Sequence, residues 1–94
     1  MIQLRIEHSV HDYDAWKELF DADPAGREGA GVRRYRILRG TDEPNFVMID
    51  LEFDAIEQAE AMLGALRTIW GQVQGTLIEG RSARLADVVE AVEY

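Results

Sequence analysis

Within its first twenty residues the chain switches hydrophobic period from two to helical spacing, which ties a strand directly to a helix. Ile2, Leu4 and Ile6 alternate with Gln3, Arg5 and Glu7. That is the pattern of a half-buried strand, with His8 last on its apolar face. Tyr13, Trp16, Leu19 and Phe20 then recur at helical spacing and form one apolar stripe. Asp12 is placed to cap this helix, and Asp14 sits favourably in its positive first turn. Pro24 stops or kinks the helix, because the residue before a proline avoids helical geometry. Asp23 and Pro24 equally suit the start of a separate short turn, as cap and first position. The stretch His8–Phe20 thus gathers two histidines, a tyrosine and a tryptophan at one strand–helix junction.

Val32–Arg39 reads as a second strand, residues 40–45 (GTDEPN) as a turn, and Phe46–Phe53 as a third strand. A connection this short makes the pair an antiparallel hairpin, and the side chains argue its register. If paired residue numbers sum to 86, Ile37 faces Ile49 and Tyr35 faces Leu51 on one side. Arg36 then faces Asp50, and Arg34 faces Glu52, on the other. Each such pair contributes roughly 0.2–1 kcal/mol, and a slip by one residue would set arginines against Ile49 and Leu51. Asp54 followed by Glu57 reads as an acidic capping box. Ile56, Ala59, Leu63, Leu66 and Trp70 mark a second amphipathic helix ending between Trp70 and Gln74. Arg84–Tyr94 reads as a last strand with apolar residues on both faces, which implies burial on both.

The order strand, helix, strand, strand, helix, strand predicts an α+β, ferredoxin-like βαββαβ domain spanning residues 1–94. It has a four-stranded antiparallel sheet and both helices on one face. The other face would carry Arg5, Glu7, Arg34, Arg36, Asp50 and Glu52 with Leu38 and Met48. That is too mixed for a core and too apolar in places for water alone. Packing against the same face of a second copy explains both properties. A chain of 94 residues has a modest core, and the absence of cysteine rules out disulfides as reinforcement. Oligomerisation is the natural alternative. The formal net charge of −8 repels phosphate backbones and anionic membranes, so neither nucleic acid nor membrane is expected as a partner. MIQLRIEH lacks the basic and apolar regions of a signal peptide, and no apolar run approaches the ~20 residues of a membrane span. The expectation is a soluble, cytoplasmic protein.

HDYDAWKELFD followed by GVRRYRILRG and a hydrophobic third strand resembles the small dimeric α+β barrel proteins. The resemblance is to their antibiotic-biosynthesis-monooxygenase-like group and covers nearly the whole chain. It implies a homodimer with a ligand cavity in each subunit, between helices and sheet. Members of that superfamily include cofactor-free quinone-forming monooxygenases, haem-degrading enzymes, lactone isomerases and polyketide cyclases. It also holds proteins without known activity. The haem-degrading members bind iron through a histidine of the second helix region. Ala55–Gln74 contains none, so that activity fails here unless His8 or His11 substitutes.

His8 is the candidate general base, since a histidine near neutral pKa can take a proton from an activated phenol or carbon acid. A structural histidine bonded to backbone is the competing reading. His11, before the helix cap, is a weaker candidate, and no third ligand makes the two a metal site. Trp16, Tyr35 and Trp70 are candidate walls for a planar aromatic or polyketide-like ligand. Tyr13 and Phe20 are better read as core. Each indole also has a polar edge that needs a partner. Arg34, Arg36, Asp50 and Glu52 are better read as ion pairs at a dimer or barrel face than as a ligand site. Arg27, in DPAGREG, suits a gate or a carboxylate contact, although a solvent-exposed loop arginine is the simpler reading. No nucleophile elbow or phosphate-binding glycine loop is present, and no metal or organic cofactor is expected. The leading expectation is a homodimer that binds such a ligand, as a cofactor-independent monooxygenase or cyclase. The alternative is a non-catalytic small-molecule-binding or stress-related module on the same fold.

Overall fold

A computed structural model describes all residues, 1–94. Its elements run β1 (Ile2–Val10), α1 (Tyr13–Ala22), β2 (Arg34–Arg39), β3 (Phe46–Phe53), α2 (Ile56–Val73) and β4 (Ile78–Asp87). The strands form one sheet in the order β2-β3-β1-β4, antiparallel throughout. This is the ferredoxin-like βαββαβ arrangement.

The core lies between the helices and one face of the sheet. Leu4, Ile6 and Val10 of β1, Val47, Ile49, Leu51 and Phe53 of β3, and Ile78 of β4 meet Trp16 of α1 and Ala59, Met62 and Trp70 of α2. The β2–β3 register pairs Arg34 with Glu52, Tyr35 with Leu51, Arg36 with Asp50 and Ile37 with Ile49. Apolar pairs therefore face the helices and charged pairs the open side.

Asp12 caps α1 through a hydrogen bond accepted from the Asp14 N–H at 3.1 Å. The helix ends with Asp23 in the left-handed region at φ 55°. The Asp23 carboxylate then accepts from the Arg27 N–H at 2.9 Å, which organises the turn after Pro24.

The structure corrects five expectations. β2 starts at Arg34 rather than Val32. β1 does not end at His8 but continues to Val10, which is buried on the same face. The cap of α2 is Ala55, not Asp54, and the reciprocal bond comes from Gln58 Oε1, which accepts from the Ala55 N–H at 3.2 Å. Ile56 is off the buried stripe at 43% exposure, and Met62 takes a central place in the core instead.

The last strand differs most. It spans Ile78–Asp87 rather than Arg84–Tyr94, and of its ten residues only Ile78 is buried. Val88–Tyr94 forms no strand, and Val89 and Val92 are exposed. A glycine explains the early start. Between Glu7↔Ser82 and Ser9↔Glu79 the β1–β4 register gains a residue on β4, where Gly80 stands at φ 65°. A glycine in the left-handed region is the mark of a bulge that lets a strand continue past an extra residue. The bulge lies beside His8.

Candidate functional site

His8 projects from β1 into the core side of the sheet and is 1% exposed. Its Nδ1 lies 3.2 Å from the Ser9 carbonyl oxygen. A carbonyl can only accept, so Nδ1 carries the proton and Nε2 is the unprotonated nitrogen of a neutral ring. Burial lowers the His8 pKa from the ordinary histidine value; the bond to the Ser9 carbonyl pushes it back only in part. The ring is therefore a base and acceptor at neutral pH, not a cation.

His8 lines a cavity of about 70 Å³ between the sheet and both helices. Trp16 and Trp70 form part of its wall, with Met62 and Ile69 of α2. The wall is overwhelmingly apolar; its polar groups are His8, Asp23 and Arg27. A row of rings runs along one side. His8 and Trp16 meet edge-on at 5.6 Å between centroids, Trp16 and Phe20 at 5.3 Å, and Phe20 and Tyr35 at 5.2 Å. The guanidinium of Arg27 closes the row, 3.9 Å from the Phe20 centroid and 4.9 Å from that of Tyr35.

The sequence-selected residues fall into four places. His8, Trp16 and Trp70 come together around the cavity. Tyr35 does not line it: β2 is an edge strand, and Tyr35, 45% exposed, covers the outer side of Phe20. His11 is exposed and lies 3.6 Å from Glu79, away from the cavity wall.

Arg34, Arg36, Asp50 and Glu52 lie on the opposite, open face. Asp50 there is 2% exposed and is shared rather than paired. Both its oxygens accept from Arg5, Nε to Oδ1 and Nη2 to Oδ2, and Gln3 adds a bond at 3.3 Å. Arg36 reaches it only at 3.4 Å. Arg5 is thus the stronger partner, and only the β1–β3 register, which sets Arg5 against Asp50, shows it. Arg34 lies 2.9 Å from Glu52, yet Glu52 Oε2 is buried without an aligned donor.

The segment Asp23–Arg27 is the part of the wall that helical and strand periodicity cannot place. No group of three or more His, Cys, Asp or Glu side chains is close enough to hold a metal ion. The cavity's one histidine is on β1 and α2 has none, so the site lacks the second-helix histidine of a haem-degrading arrangement. No helix is long and apolar enough to cross a membrane.

No family model and no curated protein matches the chain. Solved structures do. SnoaB from Streptomyces nogalater, a cofactor-independent oxygenase seen as a point mutant, superposes with TM-score 0.73 at 16% identity, over 99% of this chain and 97% of that one. A mutant of MhuD, with two manganese protoporphyrin IX bound per active site, gives 0.71 at 15% identity over 100% of both chains. A dimeric ferredoxin-like protein from an uncultured marine organism gives 0.67 at 9% identity, also over 100% of both. At these identities the likeness is one of fold. The same ferredoxin-like fold is seen in a putative antibiotic biosynthesis monooxygenase from Deinococcus radiodurans, with TM-score 0.72 at 15% identity over 100% of this chain and 98% of that one.

Proposed function

We propose that the protein is a homodimer that binds a planar aromatic or polyketide-like molecule in the cavity of each subunit. There it removes a proton with His8 in a cofactor-independent oxygenation or cyclisation. One observation carries this reading: a buried histidine, its Nδ1 against the Ser9 carbonyl, lines a predominantly apolar cavity. The wall of Trp16, Trp70 and Met62 excludes water and offers flat surface. His8 Nε2 accepts a proton from an acidic phenol or carbon acid, which leaves an electron-rich anion held in place. In an oxygenation the anion is the reductant. One substrate methylene becomes a carbonyl, one oxygen atom of dioxygen enters it, and the other leaves as water. SnoaB, a cofactor-independent oxygenase on the same fold, makes this chemistry a reasonable first test.

The dimer is supported by the open face of the sheet, where apolar Met48 and Leu38 sit beside charged pairs. The alternative is a non-catalytic binding module in which the same apolar wall holds a ligand without chemistry. Dioxygen uptake with a panel of polycyclic phenols separates the two. Catalysis predicts uptake above background that falls about a hundredfold or more in His8→Asn, the scale of a lost general base. Binding without uptake by any phenol removes the oxygenase reading; binding with neither uptake nor a rearranged product, checked by mass and absorbance of the recovered phenol, leaves the binding module.

A further inference from the structure

The cavity has a second polar end that the proton transfer does not use. Arg27, three rings along the row from His8, lines it together with Asp23. The same two residues also line an open depression bounded by Arg33, Arg34 and Glu28. They are the partition between an apolar interior and a polar surface.

The partition is also the part of the wall that lies outside the helices and strands. A cavity of about 150 Å³ is the size that accommodates benzene, and this one has about 70 Å³. A planar ring enters only if the wall gives way. Every lining residue belongs to a helix or a strand except Asp23, Pro24, Ala25 and Arg27. Arg27 fastens that segment. Its Nη1 donates to the Phe20 carbonyl at 2.7 Å, in the last turn of α1, and stands 3.5 Å from the Asp23 carboxylate. Both contacts use Nη1, which leaves Nε and Nη2 for another acceptor. The side chain is only 17% exposed, so little water competes for those donors.

We infer that Arg27 recognises the ligand, and that the ligand is a planar apolar molecule carrying one carboxylate or comparably acidic oxyanion. The oxyanion accepts from Nε and Nη2 as a two-point pair, the geometry at which arginine excels. The rings take the space beside Trp16 and Trp70. Asp23 and Glu28 oppose an anion here. Asp23 is already engaged by the Arg27 backbone N–H, while Arg33 and Arg34 of the depression are themselves paired with Asp54 and Glu52 and leave Arg27 as the cation that meets the anion. The inference rests on the aromatic-ligand reading and adds to it the acid group and the residue that reads it.

The test is calorimetric titration of the 94-residue chain with 2-naphthoate and 2-naphthamide, one ring system with and without a charge. The wild type should bind the naphthoate about tenfold more tightly, the scale of one charge-assisted pair. Arg27→Gln should abolish the preference, so that naphthoate and amide bind equally; a change in how easily the wall gives way acts on both probes alike. Arg27→Lys, with charge but no fork, should fall between. Equal affinities in the wild type, or a preference that survives Arg27→Gln, overturn the inference and leave the aromatic-ligand reading standing. Failure of both probes to bind overturns the two together.

Discussion

His8 occupies a place where a charge is costly, and the cost is visible as a dependence of stability on pH. Its folded pKa lies below the ordinary value because burial disfavours the imidazolium. The unfolded chain therefore binds more protons over that interval. The stabilisation from keeping the ring neutral is full above about pH 6.5 and is lost as pH falls through that value towards the lower folded pKa. The wild type should lose Tm between about pH 7 and 5.5, and His8→Gln should lose less over the same range. Parallel curves would mean that the ring is not held neutral. Asp50 makes a contrasting case on the other face. Its carboxylate serves two arginines and a glutamine. Asp50→Ala should cost roughly 1–3 kcal/mol in urea denaturation, discounted because Arg5 is a third exposed and can turn to water. Arg36→Ala, at a side chain 71% exposed, should cost under about 1 kcal/mol. The reverse order would displace Arg5 as the main partner.

At the scale of elements, the bulge in β4 sets the strand beside His8. Gly80 holds φ 65°, and a Cβ there meets no other atom within 4 Å. Any penalty for substitution is thus conformational and not steric. Gly80→Val should lower stability by about 1–2 kcal/mol, and Gly80→Asn by less, because asparagine tolerates the left-handed region. Matching midpoints for the two variants would argue against the bulge. This glycine also marks where the sequence stops being legible. Alternation locates β1, β2 and β3, and opposite charges on one side of the hairpin give the β2–β3 register. Gly80 reads the same in a turn as in a bulge, so alternation alone starts β4 at Arg84 instead of Ile78 and extends it into Val88–Tyr94. The cavity is half legible for a similar reason. His8, Trp16 and Trp70 sit on periodic elements, whose faces can be counted. Arg27 and Asp23 sit in a connection whose path depends on one left-handed residue and one arginine contact.

For the molecule as a whole, the open sheet face decides the state of assembly. Sedimentation at micromolar concentration should show a dimer; a monomer alone would leave that face without an explanation. Register places Arg5, Arg34, Arg36 and Arg84 on it against Glu7, Asp50, Glu52 and Glu79. The face is nearly neutral, so the net charge of −8 resides on the remaining surface. In the proposed dimer two approaching copies therefore repel at long range while the paired sheet faces do not. Most associating proteins that rely on charge meet more slowly as ionic strength rises. This one should do the opposite. The screening length falls from about 10 Å at 0.1 M salt to about 3 Å at 1 M, which removes the repulsion before the faces touch. Encounter rates measured by stopped flow after dilution should climb with added salt.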